Sequence, residues 1–327
     1  MTMLSPHCPD TRLLDEFQRD LPLLPRPFAA MGERIGIDEN QVIARLTRLR
    51  DQGRITRVGA TCRPNTAGAS TLAALAIPTA RIDEVAALVG AEPGVNHSYL
   101  REDEWNLWFV ATAPTPDDLA ATLARIEAAT GLQVLSLPLV RPFNIDLGFR
   151  LNGPRQALGL DRPADLSVLR DDDRPLLQAL SSGLELVPRP YAALARQLGR
   201  DESEVIARIG VLARARILTR VGVIVRHRAL GWAANAMVVW RVADPSVESA
   251  GRALAQVPGV TLCYQRRIVP GLWDWPLFCM IHGRSRAEAL AVLDRARDLP
   301  DLAEVQHKIL FSTRCFKQRG ALIEAAA

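Results

Sequence analysis

Pro25-Arg26-Pro27-Phe28-Ala29-Ala30 is met a second time in the chain, as Pro188-Arg189-Pro190-Tyr191-Ala192-Ala193. The match does not stand alone. Val42-Ile43-Ala44-Arg45 recurs unchanged as Val205-Ile206-Ala207-Arg208, and Thr56-Arg57-Val58-Gly59 recurs without a gap as Thr219-Arg220-Val221-Gly222. Further along, Pro93-Gly94-Val95 answers to Pro258-Gly259-Val260, Tyr99 to Tyr264, Arg101 to Arg266, and Arg141-x-Phe143 to Arg314-x-Phe316. Matches kept in this order are a duplication, so the chain is two diverged copies of one unit. Between residues 152 and 173, Gly, Pro and a run of Asp mark the seam.

The local signals say what the unit is. Pro27 opens a short helix with an apolar stripe. Asp38, followed three residues later by Gln41, caps a second helix whose Val42, Leu46 and Leu49 keep helical spacing, and Gly53 ends it. The extended stretch from Arg54 to Cys62 reads as a wing. Beyond it the pattern predicts strand 71–78, helix 83–91, strands 95–101 and 107–113, helix 116–129 and strand 133–140. That order, β-α-β-β-α-β, is the ferredoxin-like one. The expected fold is therefore α+β, a tandem duplication of a winged helix-turn-helix plus a ferredoxin-like domain. Its boundaries are 1–64 and 65–152 for the first copy, then 153–227, with the linker, and 228–327 for the second.

Composition narrows the classes. The 327 residues are 48% hydrophobic, enough for ordinary packed cores. No apolar run approaches the roughly 20 residues of a membrane helix, and Met1 to Asp10 lacks a signal-peptide core, so a cytoplasmic protein without membrane contact is expected. The five cysteines form no C-x-x-C pair and point to neither a zinc site nor a disulfide framework. The net charge of +4 rests on arginine, since lysine occurs only at Lys308 and Lys317. Arginine's rigid fork suits carboxylate and phosphate ligands, although a GC-rich genome would also exchange Lys for Arg.

A winged helix-turn-helix followed by a ferredoxin-like segment resembles the Lrp/AsnC transcription regulators, twice over nearly the whole chain. A finer resemblance is to the siroheme decarboxylases of haem d1 synthesis, a part of denitrification. It is carried in the first copy by His97-Ser98-Tyr99-Leu100-Arg101 and Asn106-Leu107-Trp108-Phe109. In the second copy it is carried by Val223 to Arg228, Asn235 to Trp240 and Phe311 to Gly320. The resemblance implies that two subunit types are fused here. It also implies removal of the C12 and C18 acetate carboxyls of siroheme to give 12,18-didecarboxysiroheme, with no organic cofactor, because the substrate brings its own iron. The pocket is expected between the two ferredoxin-like segments.

Several residues stand out within that frame. Strand alternation puts His97, Tyr99 and Arg101 on one face, an unusual set for a core, which reads as a pocket wall. His97 is a candidate axial ligand to the substrate iron, against a surface histidine or one behind the wall. The second copy has Leu262 there. His227 faces Pro64 of the first copy and lies between Arg226 and Arg228; it reads as an acid–base group or as a loop histidine. Tyr99 is a candidate proton donor. Arg101, Arg266, Arg141, Arg314 and Arg226 are candidate carboxylate contacts, against surface ion pairs. Tyr264, Asn106 and Trp108 are candidate substrate contacts, and Trp273 and Trp275 flank a macrocycle or fill the core. His307 reads first as structural, and His7 and His282 have no supporting context.

The competing reading is a DNA-binding regulator, with Arg45, Arg48 and Arg50 meeting phosphates. The second copy keeps Arg208 but has Gly210, Val211 and Ala213 where Thr47, Arg48 and Arg50 stand, so specific DNA binding is not expected. A haem-binding sensor without chemistry is the third reading. Whether the chain forms homo-oligomers or meets other haem d1 enzymes is left open by the sequence.

Overall fold

The computed structural model describes residues 8–145 and 163–324. His7 and most of the seam lie outside the described residues. Each copy opens with three helices. In the first these are α1 (Pro9–Glu16), α2 (Pro27–Ile35) and α3 (Glu39–Asp51), followed by the strand β1 (Ile55–Cys62). The capping box at the start of α3 is formed: Gln41 N–H donates to Asp38 Oδ1 (2.9 Å), and Asp38 N–H donates to Gln41 Oε1 (3.2 Å). The ferredoxin-like segment follows as β2 (Ala69–Leu75), α4 (Ile82–Ala91), β3 (Val95–Arg101), β4 (Leu107–Ala113), α5 (Pro116–Thr130) and β5 (Leu135–Ile145).

The second copy repeats the order. Its helices are α6 (Asp173–Ser182), α7 (Pro190–Leu198) and α8 (Glu202–Arg214), then β6 (Leu218–Val225). The segment β7 (Ala234–Trp240), α9 (Val247–Ala255), β8 (Val260–Arg266), β9 (Leu277–Gly283), α10 (Arg286–Arg297) and β10 (His307–Gln318) completes it. The opening helices α1 and α6 escaped the sequence reading, although Leu13, Leu14 and Phe17 repeat as Leu176, Leu177 and Leu180 at helical spacing, and all six are buried.

The wing expectation needs correction. A wing is a hairpin, and neither copy supplies one: β1 and β6 pair with each other, antiparallel, with Gly59 opposite Gly222. Each copy offers one strand, and its unpaired edge is satisfied by the other copy. The repeated glycine has a steric cause. A Cβ on Gly222 would lie 2.4 Å from Phe17 O at the end of α1, and one on Gly59 would lie 2.4 Å from Leu180 O of α6. Thus α1 of the first copy docks on β6 of the second and α6 on β1, a crosswise clasp tightened by Val223 N–H to Phe17 O (2.7 Å) and Leu184 N–H to Val58 O (2.7 Å).

The two ferredoxin-like sheets close into one eight-stranded barrel, ordered β10-β3-β4-β2-β5-β8-β9-β7. The long last strands make this closure. β5 pairs with β2 through Leu135–Pro138 and then with β8 through Leu139–Ile145, while β10 pairs with β7 and then with β3. Closure removes the sheet edges. The helices α4, α5, α9 and α10 cover the outside, and the inside is filled by side chains such as Leu137, Val239, Phe278 and Leu310. Among the described residues no helix is long and apolar enough to cross a membrane.

Candidate functional site

One end of the barrel is left unfilled, and the β1–β6 ribbon roofs it. The resulting cavity, about 210 Å³, has an apolar floor of Leu72, Trp108, Val110, Met237, Leu262 and Met280. Its polar walls come from both copies. Alternation along β3 delivers His97, Tyr99 and Arg101 in a row, the imidazole and phenol rings 6.5 Å apart and inclined by 22°, and the Arg101 guanidinium 5.6 Å from the Tyr99 ring. The second copy contributes His227, just beyond β6, Asn235 of β7, Tyr264 of β8 and His282 of β9.

The charge balance of this cavity is one-sided. Arg57, Arg101, Arg220 and Arg319 line it, and among the described lining residues there is no Asp or Glu. Burial pushes the Arg101 guanidinium down to about 10 and, with Arg57 and Arg19 nearby, that of Arg220 to about 9. Both stay cationic at neutral pH. The imidazoles behave in the opposite sense. Burial, reinforced by the positive charge of Arg57, lowers His97 to about 4, and burial with Arg228, His97 and Arg101 lowers His227 to about 4. Both rings are therefore neutral at pH 7. His97 is half-buried by surface area yet deeply enclosed, because its remaining surface faces the cavity. Its Nδ1 has no hydrogen-bond partner among the described residues. Burial raises the Tyr99 hydroxyl, which keeps its proton.

Of the residues singled out in the sequence, His97, Tyr99, Arg101, Trp108, His227 and Tyr264 meet in this one cavity. Arg266 lies behind Tyr264, 4.9 Å from its ring, and donates to Leu137 O (2.7 Å). Asn106 clips the backbone of Ile77 in both directions (2.9 and 2.8 Å) and does not line the cavity. Arg141 is a surface residue paired with Glu248, and Arg314 is exposed and paired with Asp83. Arg226 is exposed in an outer groove with Arg314 and Lys317, which adjoins the cavity through the shared Gln318 and Arg319. Trp273 fills the barrel interior against Trp108 (5.1 Å), Trp275 lies 6.5 Å from Trp273, and His307 rests on Trp240 outside (4.9 Å).

Sequence reasoning missed Arg57, Arg220, Asn235 and His282. The signal for the first pair was the Thr-Arg-Val-Gly repeat itself, which places a guanidinium at the same point of both ribbon strands. For His282 it was alternation along β9, where Phe278 and Met280 face inward. His282 is buried, with Nε2 2.7 Å from Asn235 Nδ2, Nδ1 2.9 Å from Thr261 Oγ1, and its ring edge-on to His227 at 4.7 Å.

Three of the helix-turn-helix arginines pair with carboxylates of the opening helices, while Arg50 is exposed beside Asp51 (3.5 Å). Arg45 and Arg48 both bind Asp10 of α1 (2.8 and 2.6 Å), and the counterpart Arg208 binds the fully buried Asp173 of α6 (2.6 Å).

Comparison with known proteins agrees with this division. Residues 67–144 and 229–317 match the AsnC-like ligand binding domain, and residues 10–55 and 173–218 match the siroheme decarboxylase NirDL-like HTH domain. Over 318 residues the chain is 73% identical to the siroheme decarboxylase NirDL subunit of Paracoccus denitrificans, covering 97% of this chain and 98% of that one. The chain belongs to the siroheme decarboxylase NirDL family. The NirDL subunit of Paracoccus pantotrophus is 72% identical over 97% of this chain and 98% of its own. A crystal structure of the siroheme decarboxylase NirDL matches with a TM-score of 0.66 at 25% identity, over 96% of this chain and 93% of that one. The regulator reading is not favoured, because the family membership points away from an operator reader.

Proposed function

We propose that the chain is a siroheme decarboxylase that removes the C12 and C18 acetate carboxyls of siroheme, giving 12,18-didecarboxysiroheme for haem d1 synthesis. The observation that carries this reading is the cavity: four guanidinium groups and, among the described residues, no carboxylate, beside two neutral imidazoles, in a chain of the NirDL family. Such a chamber is suited to a polycarboxylate, whose charges compensate the buried arginines.

Each residue has a distinct task in this reading. His97, neutral and facing the cavity, ligates the substrate iron and fixes the macrocycle. Arg101, Arg57 and Arg220 hold carboxylates, and Trp108 and Tyr264 bound the flat ring. The carboxylate of each reacting acetate leaves as carbon dioxide, and the pair of the broken C–C bond passes into the conjugated ring. One proton then returns to the resulting methylene to make a methyl group. The balance per carboxyl is one proton in and one carbon dioxide out, with no electron transferred, so no organic cofactor enters the scheme. His227 supplies the proton once the bound carboxylates have raised its affinity for one, and the Tyr99 hydroxyl is the second donor within the wall. At about 210 Å³ the cavity is below the roughly 300–1,000 Å³ of usual small-molecule sites. The macrocycle therefore extends into the outer groove beside Arg319 or displaces the flexible Met237 and Met280.

Anaerobic incubation with siroheme and mass analysis of the product tests the reading. Loss of two carbon dioxide units is expected. Tight binding without mass change would make the protein a carrier or sensor instead.

A further inference from the structure

His282 has no task in the scheme above, yet it is the centre of a fully directed hydrogen-bond chain. Thr261 Oγ1 donates its proton to Met280 O (3.0 Å), so toward His282 Nδ1, at 2.9 Å, it can only accept. Nδ1 therefore carries the ring proton, and Nε2, the remaining lone pair, accepts from Asn235 Nδ2 (2.7 Å). This turns the amide of Asn235 so that Oδ1 faces Arg101, whose Nη1 donates to it at 3.1 Å and to Leu310 O at 3.0 Å. All four side chains are buried.

The duplication supplies an internal control. The counterpart of Arg101 is Arg266, which keeps the equivalent backbone anchor, Leu137 O. Where Asn235 and His282 stand, paired across β7 and β9, the first copy has Ser70 and Thr112, paired across β2 and β4. Arg266, on the second copy, is thus left without the amide and imidazole links that the second copy gives to Arg101, and it lies behind Tyr264 rather than on the cavity wall. The copy-specific links accompany the arginine that faces the cavity.

We infer that His282 is a positioning residue: through Asn235 it fixes the Arg101 guanidinium as the cavity's receptor for a carboxylate of the ligand. The inference rests on the polycarboxylate-binding reading of the cavity but not on turnover. With one Nη1 held by Asn235 and Leu310, the rest of the fork is aimed, and the ordering cost of a rotamer-rich side chain is met before the ligand arrives. Loss of the His282 acceptor frees the amide to turn its Nδ2 toward Arg101, donor against donor.

The test is a titration of the full chain with iron-uroporphyrin III, an octacarboxylate whose binding needs no decarboxylation. His282→Leu is expected to weaken binding roughly 10- to 100-fold, the scale of one charge-assisted contact, with the visible spectrum of the bound ligand unchanged. His282→Gln, which offers one acceptor and one donor along the same line, should recover most of that loss. In the Arg101→Ala background His282→Leu should cost less than about threefold, because the two act as one unit. Asn235→Ala gives the same coupling by a second route and stands in if the leucine variant does not fold. Losses that simply multiply, or a glutamine variant as weak as leucine, would overturn the positioning role. Failure of the unsubstituted chain to bind the octacarboxylate would overturn it together with the cavity assignment, whereas binding without siroheme turnover would sink only the decarboxylase reading.

Discussion

Replacing Arg101 by Met should separate binding from stability, lowering the first while leaving the second nearly unchanged. The Arg101 guanidinium is 6% exposed, and its shift from 12.5 to about 10 by burial corresponds to a cost of about 3 kcal/mol for keeping the charge inside. Removing it relieves that cost but strands Asn235 Oδ1 and Leu310 O, each at about 1–3 kcal/mol, so the two effects are of similar size. No carboxylate is left behind unpaired, so the usual 3–5 kcal/mol penalty for breaking a buried ion pair does not apply. The ligand-free variant should therefore melt within a few degrees of the parent. Siroheme affinity should fall by about 1.5–3 kcal/mol, or roughly 10- to 150-fold, by loss of a charge-assisted contact. Thermal unfolding followed by circular dichroism and a siroheme titration read the two effects. A ligand-free variant destabilised by several kcal/mol with unaltered affinity would make Arg101 a structural anchor and refute the receptor assignment.

His97→Ala should change the visible spectrum of bound siroheme, while His227→Ala should keep that spectrum and slow decarboxylation roughly 10²- to 10⁴-fold; an unchanged spectrum in the first or full turnover in the second removes that assignment. Both imidazoles titrate near 4 in the folded chain against 6.5 unfolded, so the unfolded chain binds protons first as pH falls. The ligand-free protein should hold full stability above about pH 6.5 and lose up to about 3 kcal/mol per ring on descending toward pH 4, measured by urea midpoints; a pH-independent difference between parent and His227→Gln would contradict this. Gly222→Ala should cost more than about 2 kcal/mol in the same assay, since its Cβ meets backbone at 2.4 Å that cannot retreat without undoing the α1 clasp. Asp173→Ala should cost about 3–5 kcal/mol by leaving Arg208 buried and uncompensated, whereas a cost near zero would mean that Arg208 escapes to solvent.

The sequence carried the duplication, the element order and the β3 wall, because those are written in short-range periodicity and in repeats that need no knowledge of packing. Expected and observed strands coincide at 95–101 and 107–113. Long-range pairing was not legible. The extended stretch from Arg54 to Cys62 reads as a strand but does not say which edge it joins, and its partner lies in the other copy. The same limit applies to the arginines. Repetition alone could not distinguish Arg101, which turns inward, from Arg141 and Arg314, whose strands carry them to the surface beside Glu248 and Asp83. Asn106 was a candidate carboxylate contact as part of the stretch that carries the resemblance, and a backbone clip at Ile77 uses both ends of its amide. His282 was overlooked because its meaning comes from Asn235 and Thr261, residues remote in sequence that strand pairing brings alongside.

The central claim is that both copies build a single decarboxylating chamber. A stoichiometric siroheme titration followed by anaerobic single turnover tests it most directly, on the parent chain and on the combined His97→Ala and His227→Ala variant. One siroheme bound per chain, both acetate carboxyls lost by the parent and neither lost by the double variant is the predicted result. Two equivalents bound per chain, or turnover surviving the loss of both histidines, would contradict it.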